Sequence, residues 1–112
     1  MLIPWWDRDI LMVMRIISRG TLRDFWTKPE YKDSEQSLRS WFQVTLAANW
    51  SNSSDIKSIY GSASIVGDNR IVFNIAGNKY RLVVKINYHY QVVYIRFIGT
   101  HKQYDKINVK EI

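Results

Sequence analysis

Hydrophobic positions recur along this chain with two different periods, and the change falls near Ala63. Before it the apolar spacing is three to four residues, as one face of a helix requires; after it the spacing is two, as strands require. Ile16-Ile17 is a short strand candidate. A first helix is predicted through Leu22, Phe25 and Trp26, capped by Ser18 or Thr21, with Asp24 near its N-terminus and Lys28-Pro29 as its stop. A second opens at Ser34 and carries Leu38, Trp41, Phe42 and Thr45 as a stripe suited to packing on a sheet. Asn49 to Ser54 is a polar loop that includes Trp50, and Asp55 to Tyr60 is either one more helical turn or an extended connector.

The strands follow. Arg70 to Ile75 sets Ile71, Phe73 and Ile75 against Arg70, Val72 and Asn74. Ala76-Gly77-Asn78-Lys79 is a hairpin signal, and Tyr80 to Tyr88 is the next strand, with Arg81, Val83, Lys85 and Asn87 on one side. His89-Tyr90-Gln91 turns the chain into Val92 to Ile98, where Arg96 shares a side with Val92 and Tyr94. Gly99 breaks that strand, and Thr100 can cap a short C-terminal helix holding His101, Tyr104 and Asp105. A strand, two helices and an antiparallel meander make an α+β fold, with helices on one face of a twisted sheet and the other face left for function.

Length allows one domain with a single core. Residues 1–13 differ from the rest: Trp5-Trp6 and two aspartates precede a short apolar run, without the basic start of a secretory signal. Met14 is the natural beginning, so the domain is expected over 14–112 with 1–13 as an N-terminal extension. The chain has no cysteine, which removes disulfides and thiolate sites and fits a reducing, cytoplasmic setting. No apolar run approaches ~18 residues, so no membrane span is expected.

Charge changes the picture more. Residues 1–56 hold seven Lys/Arg and seven Asp/Glu, while residues 57–112 hold nine against three, so the net +6 belongs to the half with the strands. Arg81 and Lys85 project from one face roughly 13 Å apart at strand rise, and Arg96 on the neighbouring strand can join them. Such a face can track a phosphate backbone, with Tyr80, Tyr88, Tyr90 and Tyr94 as stacking surfaces for unpaired bases. The same cations can equally keep an exposed sheet soluble. His101 and Tyr104 share a side of a helical turn, and histidine can take and give a proton near neutral pH. RNA carries its own nucleophile, the 2′-OH, so its cleavage asks only for a base, an acid and cations at the phosphorus oxygens. His89 and His101 stand twelve apart with no carboxylate at ligand spacing, so neither a metal site nor any cofactor is expected.

The segments Arg15-Ile16-Ile17-Ser18, Leu22-Arg23-Asp24-Phe25-Trp26, Val72-Phe73-Asn74-Ile75, Gly77-Asn78-Lys79-Tyr80-Arg81-Leu82-Val83, Val93-Tyr94-Ile95-Arg96-Phe97 and Gly99-Thr100-His101 with Tyr104-Asp105 resemble the HigB toxin family. These are mRNA-cleaving toxins of bacterial toxin–antitoxin pairs within the RelE-like group, and the resemblance runs from about Met14 to the C-terminus. It implies a RelE-like fold and a metal-independent endoribonuclease that cuts mRNA on the translating ribosome and leaves a 2′,3′-cyclic phosphate. It implies a HigA-like helix-turn-helix antitoxin as partner, through which alone the toxin meets operator DNA. His101 is then the expected general acid or base, Arg81 and Arg96 the phosphate and transition-state binders, and Lys85 and Tyr104 further catalytic candidates. Lys79, Tyr80, Asn74, Asn78 and Lys102 are expected to contact RNA, although Asn78 also suits a structural turn. Two other readings fit the same residues: a non-catalytic RNA- or ribosome-binding module, and a decayed toxin that retains antitoxin binding.

Overall fold

The computed structural model describes residues 14–67 and 69–112; the expected N-terminal extension, 1–13, and Asp68 lie outside the described residues. The elements are β1 (Arg15–Ile17), α1 (Gly20–Trp26), a 3-10 segment (Pro29–Ser34), α2 (Glu35–Leu46), α3 (Ser53–Ile59), β2 (Ser64–Val66), β3 (Arg70–Ile75), β4 (Tyr80–Asn87), β5 (Val92–Thr100) and α4 (His101–Tyr104). The α+β class and the helix-on-sheet layering are those expected. The sheet order is β1-β5-β4-β3-β2. β2 to β5 form an antiparallel meander, and β1 pairs parallel to β5 with Ile16 opposite Val93.

One sheet face is sealed by the helices. Ile71, Phe73 and Ile75 of β3, Leu82, Val84 and Ile86 of β4, and Val93 and Ile95 of β5 are buried there with Leu38 and Trp41 of α2. Phe73 is the hub: its ring meets Trp41 at 5.5 Å, Tyr60 at 5.1 Å and Trp50 at 6.4 Å between centroids. Truncating such a residue typically costs about 3–5 kcal/mol. Trp50 is thus a core residue and not part of a solvated loop; its carbonyl also accepts a 2.6 Å hydrogen bond from the Gln91 side chain.

Several local expectations need correction. The first helix is capped by Arg19 without a side-chain bond, because Ser18 takes a left-handed φ of 67° that turns the chain out of β1. The first helix does end before Lys28-Pro29, and Pro29 then opens a 3-10 segment, since its fixed φ suits a first helical turn. Ser34 does precede α2, but its buried hydroxyl donates backwards to the Tyr31 carbonyl at 2.7 Å. α3 resolves the open choice after Asn52 in favour of a helix, with the Asn52 side chain accepting from the Asp55 N–H. β5 runs through Gly99 to Thr100 and is not broken at the glycine.

The sheet face away from the helices is free only in part. Val72 and Val83 are buried on it, and so is Arg70, whose Nε donates to the Ile112 carbonyl at 2.7 Å. The segment after α4 therefore returns to β3 on this face, where Ile112 meets Arg70.

Candidate active site

Directly opposed residues of an antiparallel pair share a face, so the register fixes what the open face presents. Across β3, β4 and β5 the rows are Asn74, Arg81 and Gly99; then Val72, Val83 and Phe97; then Arg70, Lys85 and Tyr94. Val83 pairs with Phe97 and Val84 with Ile95, which leaves Arg96 as the extra residue of a β-bulge. The bulge places Phe97 on the open face, where simple alternation would have sent it to the core. Arg96 stays on the side of Tyr94, its guanidinium 5.5 Å from the centre of that ring. The strands give this face Arg70, Arg81, Lys85 and Arg96 and no Asp or Glu.

At one end of the face sits α4. Thr100 caps it with a reciprocal pair: its hydroxyl accepts from the Gln103 N–H at 3.2 Å while the Gln103 Oε1 accepts from the Thr100 N–H at 2.9 Å. Gly99 makes this possible, since a Cβ there would meet both Gln103 Oε1 and Phe97 Cζ at 2.6 Å. His101 is exposed, and its Nδ1 lies 3.2 Å from the Asp105 carboxylate one turn on. That contact holds the ring through Nδ1. The Tyr104 ring lies 6.5 Å from Phe97, which brings it beside the open face. Because Thr100 pairs with Tyr80 and Gly99 with Arg81, the start of β4 lies at this same end.

Arg81 is aimed by its own hairpin. Its Nη1 donates to the Asn78 carbonyl at 2.8 Å and to the Tyr80 carbonyl at 3.3 Å. The guanidinium is therefore held at the α4 end. Lys85 and Arg96 instead line a cleft of 620 Å³ nearer the opposite end, with Asn69, Asn87, His89 and Tyr94. The five catalytic candidates thus divide into His101, Arg81 and Tyr104 at one end and Lys85 and Arg96 towards the other.

The expected RNA contacts divide as well. Tyr80 is buried on the helix side, edge-on to Phe25 and Tyr31, so its ring offers no stacking surface; Tyr88 also turns to that side. Burial first, and then Asp33, push the Tyr80 hydroxyl up to about 12. Lys79 is exposed but ion-paired with Asp33, which also accepts from the Tyr80 hydroxyl. Asn78, with φ 77°, closes a turn in which Ala76 and Gly77 are also left-handed. Asn74 stands beside Arg81 and donates to the Ser62 carbonyl at 3.3 Å. Lys102 is exposed on α4, and Tyr90 at the β4–β5 turn is the most exposed large apolar residue of the described part. Two carboxylates shape the site, Asp33 and Asp105. Asp105 had a signal, four residues after His101; Asp33 had none. Among the described residues, no group of three or more His, Cys, Asp or Glu could hold a metal ion, and no helix is long and apolar enough to cross a membrane.

A sheet sealed by helices on one face, cationic on the other and closed by a short helix at its last strand has the form of a RelE-like toxin. The family model of HigB toxins, the RelE-like toxic component of a toxin–antitoxin system, matches residues 34–107, from the end of the 3-10 segment past α4. The chain belongs to that family, which implies an antitoxin partner. It is 30% identical over 96 residues to the mRNA interferase toxin HigB of Escherichia coli K12, an alignment covering 82% of this chain and 88% of that protein. The mRNA interferase HigB proteins of Escherichia coli O157:H7 and Shigella flexneri match to the same extent.

Proposed function

We propose that this toxin is an endoribonuclease that cuts mRNA on the translating ribosome, with His101 as the proton-transfer group. The observation that carries the reading is the His101–Asp105 pair, seated on a capped helix at the end of a sheet face whose strands supply cations and no carboxylates. Family membership and the names of the relatives support RNA as substrate.

The chemistry needs no group from outside the chain. The 2′-oxygen of the RNA attacks the adjacent phosphorus, its proton passes to a base, and the bond from phosphorus to the 5′-oxygen breaks as an acid protonates that oxygen. The products are a 2′,3′-cyclic phosphate and a 5′-hydroxyl end. His101 Nε2 serves one of the two proton transfers, and the Tyr104 hydroxyl, three residues on, is the second group able to hold or pass a proton. Arg81 binds the phosphate and the charge that develops on its oxygens, because its guanidinium is held by two carbonyls at the α4 end. A HigA-like helix-turn-helix antitoxin, encoded alongside, neutralises the toxin and brings it to operator DNA.

Induction of the toxin without its antitoxin, followed by mapping of mRNA ends, tests the reading. Wild type should produce new 5′-hydroxyl ends within translated messages, and purified complexes should keep cutting in the presence of a chelator. His101→Ala should lose about 10²–10⁴ in rate while still binding ribosomes. Wild-type cutting by the alanine variant would remove His101 from the chemistry, and a wild-type toxin that binds ribosomes without producing new ends would leave the sheet as an RNA-binding surface.

A further inference from the structure

Arg81 and the Lys85–Arg96 pair lie on one sheet face yet serve separate places. Arg81 turns its guanidinium to the hairpin carbonyls of Asn78 and Tyr80, while Lys85 and Arg96 line the cleft with His89 and Asn87. Along β4 Arg81 and Lys85 stand roughly 13 Å apart, and Arg81, turned to the hairpin carbonyls, does not line the cleft, so the two groups are placed for different phosphates. We propose that the cleft is a second nucleotide subsite, which grips a phosphate and base of the RNA away from the scissile bond and sets which base the toxin favours there. This rests on the reading of the protein as a nuclease acting on RNA.

Four observations carry it. The volume of 620 Å³ is that of a small-ligand site, within the roughly 300–1,000 Å³ such sites occupy. The described residues that line it include two cations and no carboxylate, so it selects an anion. Arg96 stands over the Tyr94 ring at 5.5 Å, and a guanidinium stacked on an aromatic offers a flat outer surface on which a base can lie. Three side chains at the rim (Asn69, Asn87 and His89) carry both donors and acceptors, the equipment for reading a base edge.

The rim is also organised. Asn87 Oδ1 accepts from the Tyr90 N–H at 3.0 Å, which forms the turn and leaves the same amide's N–H groups for a ligand. His89 meets Tyr90 edge-on at 4.7 Å, and the imidazole is exposed. Asn69 is held from the other side, by the 2.9 Å bond from the Ile86 N–H to its carbonyl. The β-bulge leaves Arg96 without an opposite number on β4, on the same side as Tyr94.

Short 2′-O-methyl RNA oligonucleotides test the subsite without chemistry, because they lack the attacking hydroxyl. Wild type should discriminate among sequences that differ at one position. His89→Ala and Asn87→Ala should lower that discrimination about tenfold, and Lys85→Ala should weaken every sequence alike by about tenfold with a shallower salt dependence. Thermal unfolding of each variant confirms that the fold is kept. Unchanged discrimination in the first two variants, together with unchanged affinity in the third, overturns the proposal. Wild-type protein that binds these oligonucleotides with the stated pattern yet never cuts RNA would keep the subsite and remove the nuclease.

Discussion

The Asp33 carboxylate accepts a hydrogen bond from the Tyr80 hydroxyl, a contact across 47 residues that ties the 3-10 segment to the first residue of β4. Lys79 closes on the same carboxylate. Together they fix the root of the hairpin that aims Arg81.

This link has two pH limits. Lys79 first, and Tyr80 second, hold the Asp33 carboxyl below the ordinary 3.8, so its contribution is whole above that value and is lost as acid protonates it. Tyr80 behaves oppositely: its hydroxyl is raised from 10.0 to about 12, so its contribution is whole below 10.0 and is lost as pH climbs through the raised value. Asp33→Asn should therefore lower Tm at neutral pH, with the difference from wild type closing under acid. Tyr80→Phe should remove the alkaline loss. Thermal unfolding against pH measures both, and a gap for Asp33→Asn that widens on acidification would refute the link.

His101 and Asp105 should separate chemistry from positioning. His101→Ala removes the imidazole proposed to move the proton, whereas Asp105→Asn only loosens the ring and should lower kcat about ten- to a hundredfold with KM little changed. Asp105→Glu should recover part of the loss. Neither change should shift stability by more than about 1 kcal/mol, because the pair is exposed. A rise in KM alone for Asp105→Asn would assign it to substrate binding instead.

Arg81→Ala should slow cleavage by one to two decades, the value of about 1.5–3 kcal/mol for a hydrogen bond to a charged phosphate. Arg81→Lys should recover little, since one ammonium cannot serve the hairpin carbonyls and a phosphate with the same fork of donors. An equal fall in Tm and activity across both variants would make Arg81 a structural residue.

Gly99→Ala should dislodge α4 without unfolding the sheet. The new methyl would displace Gln103 Oε1 or the Phe97 ring, and loss of the cap should cost about 0.5–2 kcal/mol. Activity should fall further than stability, because His101 and Tyr104 ride on that helix. Full activity in Gly99→Ala would show that the cap does not position them.

How much of this could be read along the chain follows from the range of each interaction. Period-two alternation found the three long strands, and Thr100 before His101 found the short helix, because both signals are local. Residue type and resemblance point to the catalytic candidates, and the sheet sets Arg81, Lys85 and Arg96 on one face. Alternation could not foresee the bulge at Arg96, which exists only between two strands, nor the division of those cations by what each hydrogen-bonds. The burial of Tyr80 is hidden for the same reason: nothing near it in the chain announces Asp33, Phe25 and Tyr31. Trp50 sits among polar neighbours, and it is distant residues, Phe73 and Gln91 among them, that bring it into the core.

The parallel pairing of β1 with β5 has a consequence for synthesis. The first strand of the described domain has its only sheet partner in the last, with Ile16 beside Val93. A nascent chain therefore holds β1 unpaired until β5 has left the ribosome, and α4 with His101 follows immediately behind. Among the described residues, closure of the sheet therefore waits on the same strand that leads directly into α4 and carries His101 to the edge of the open face.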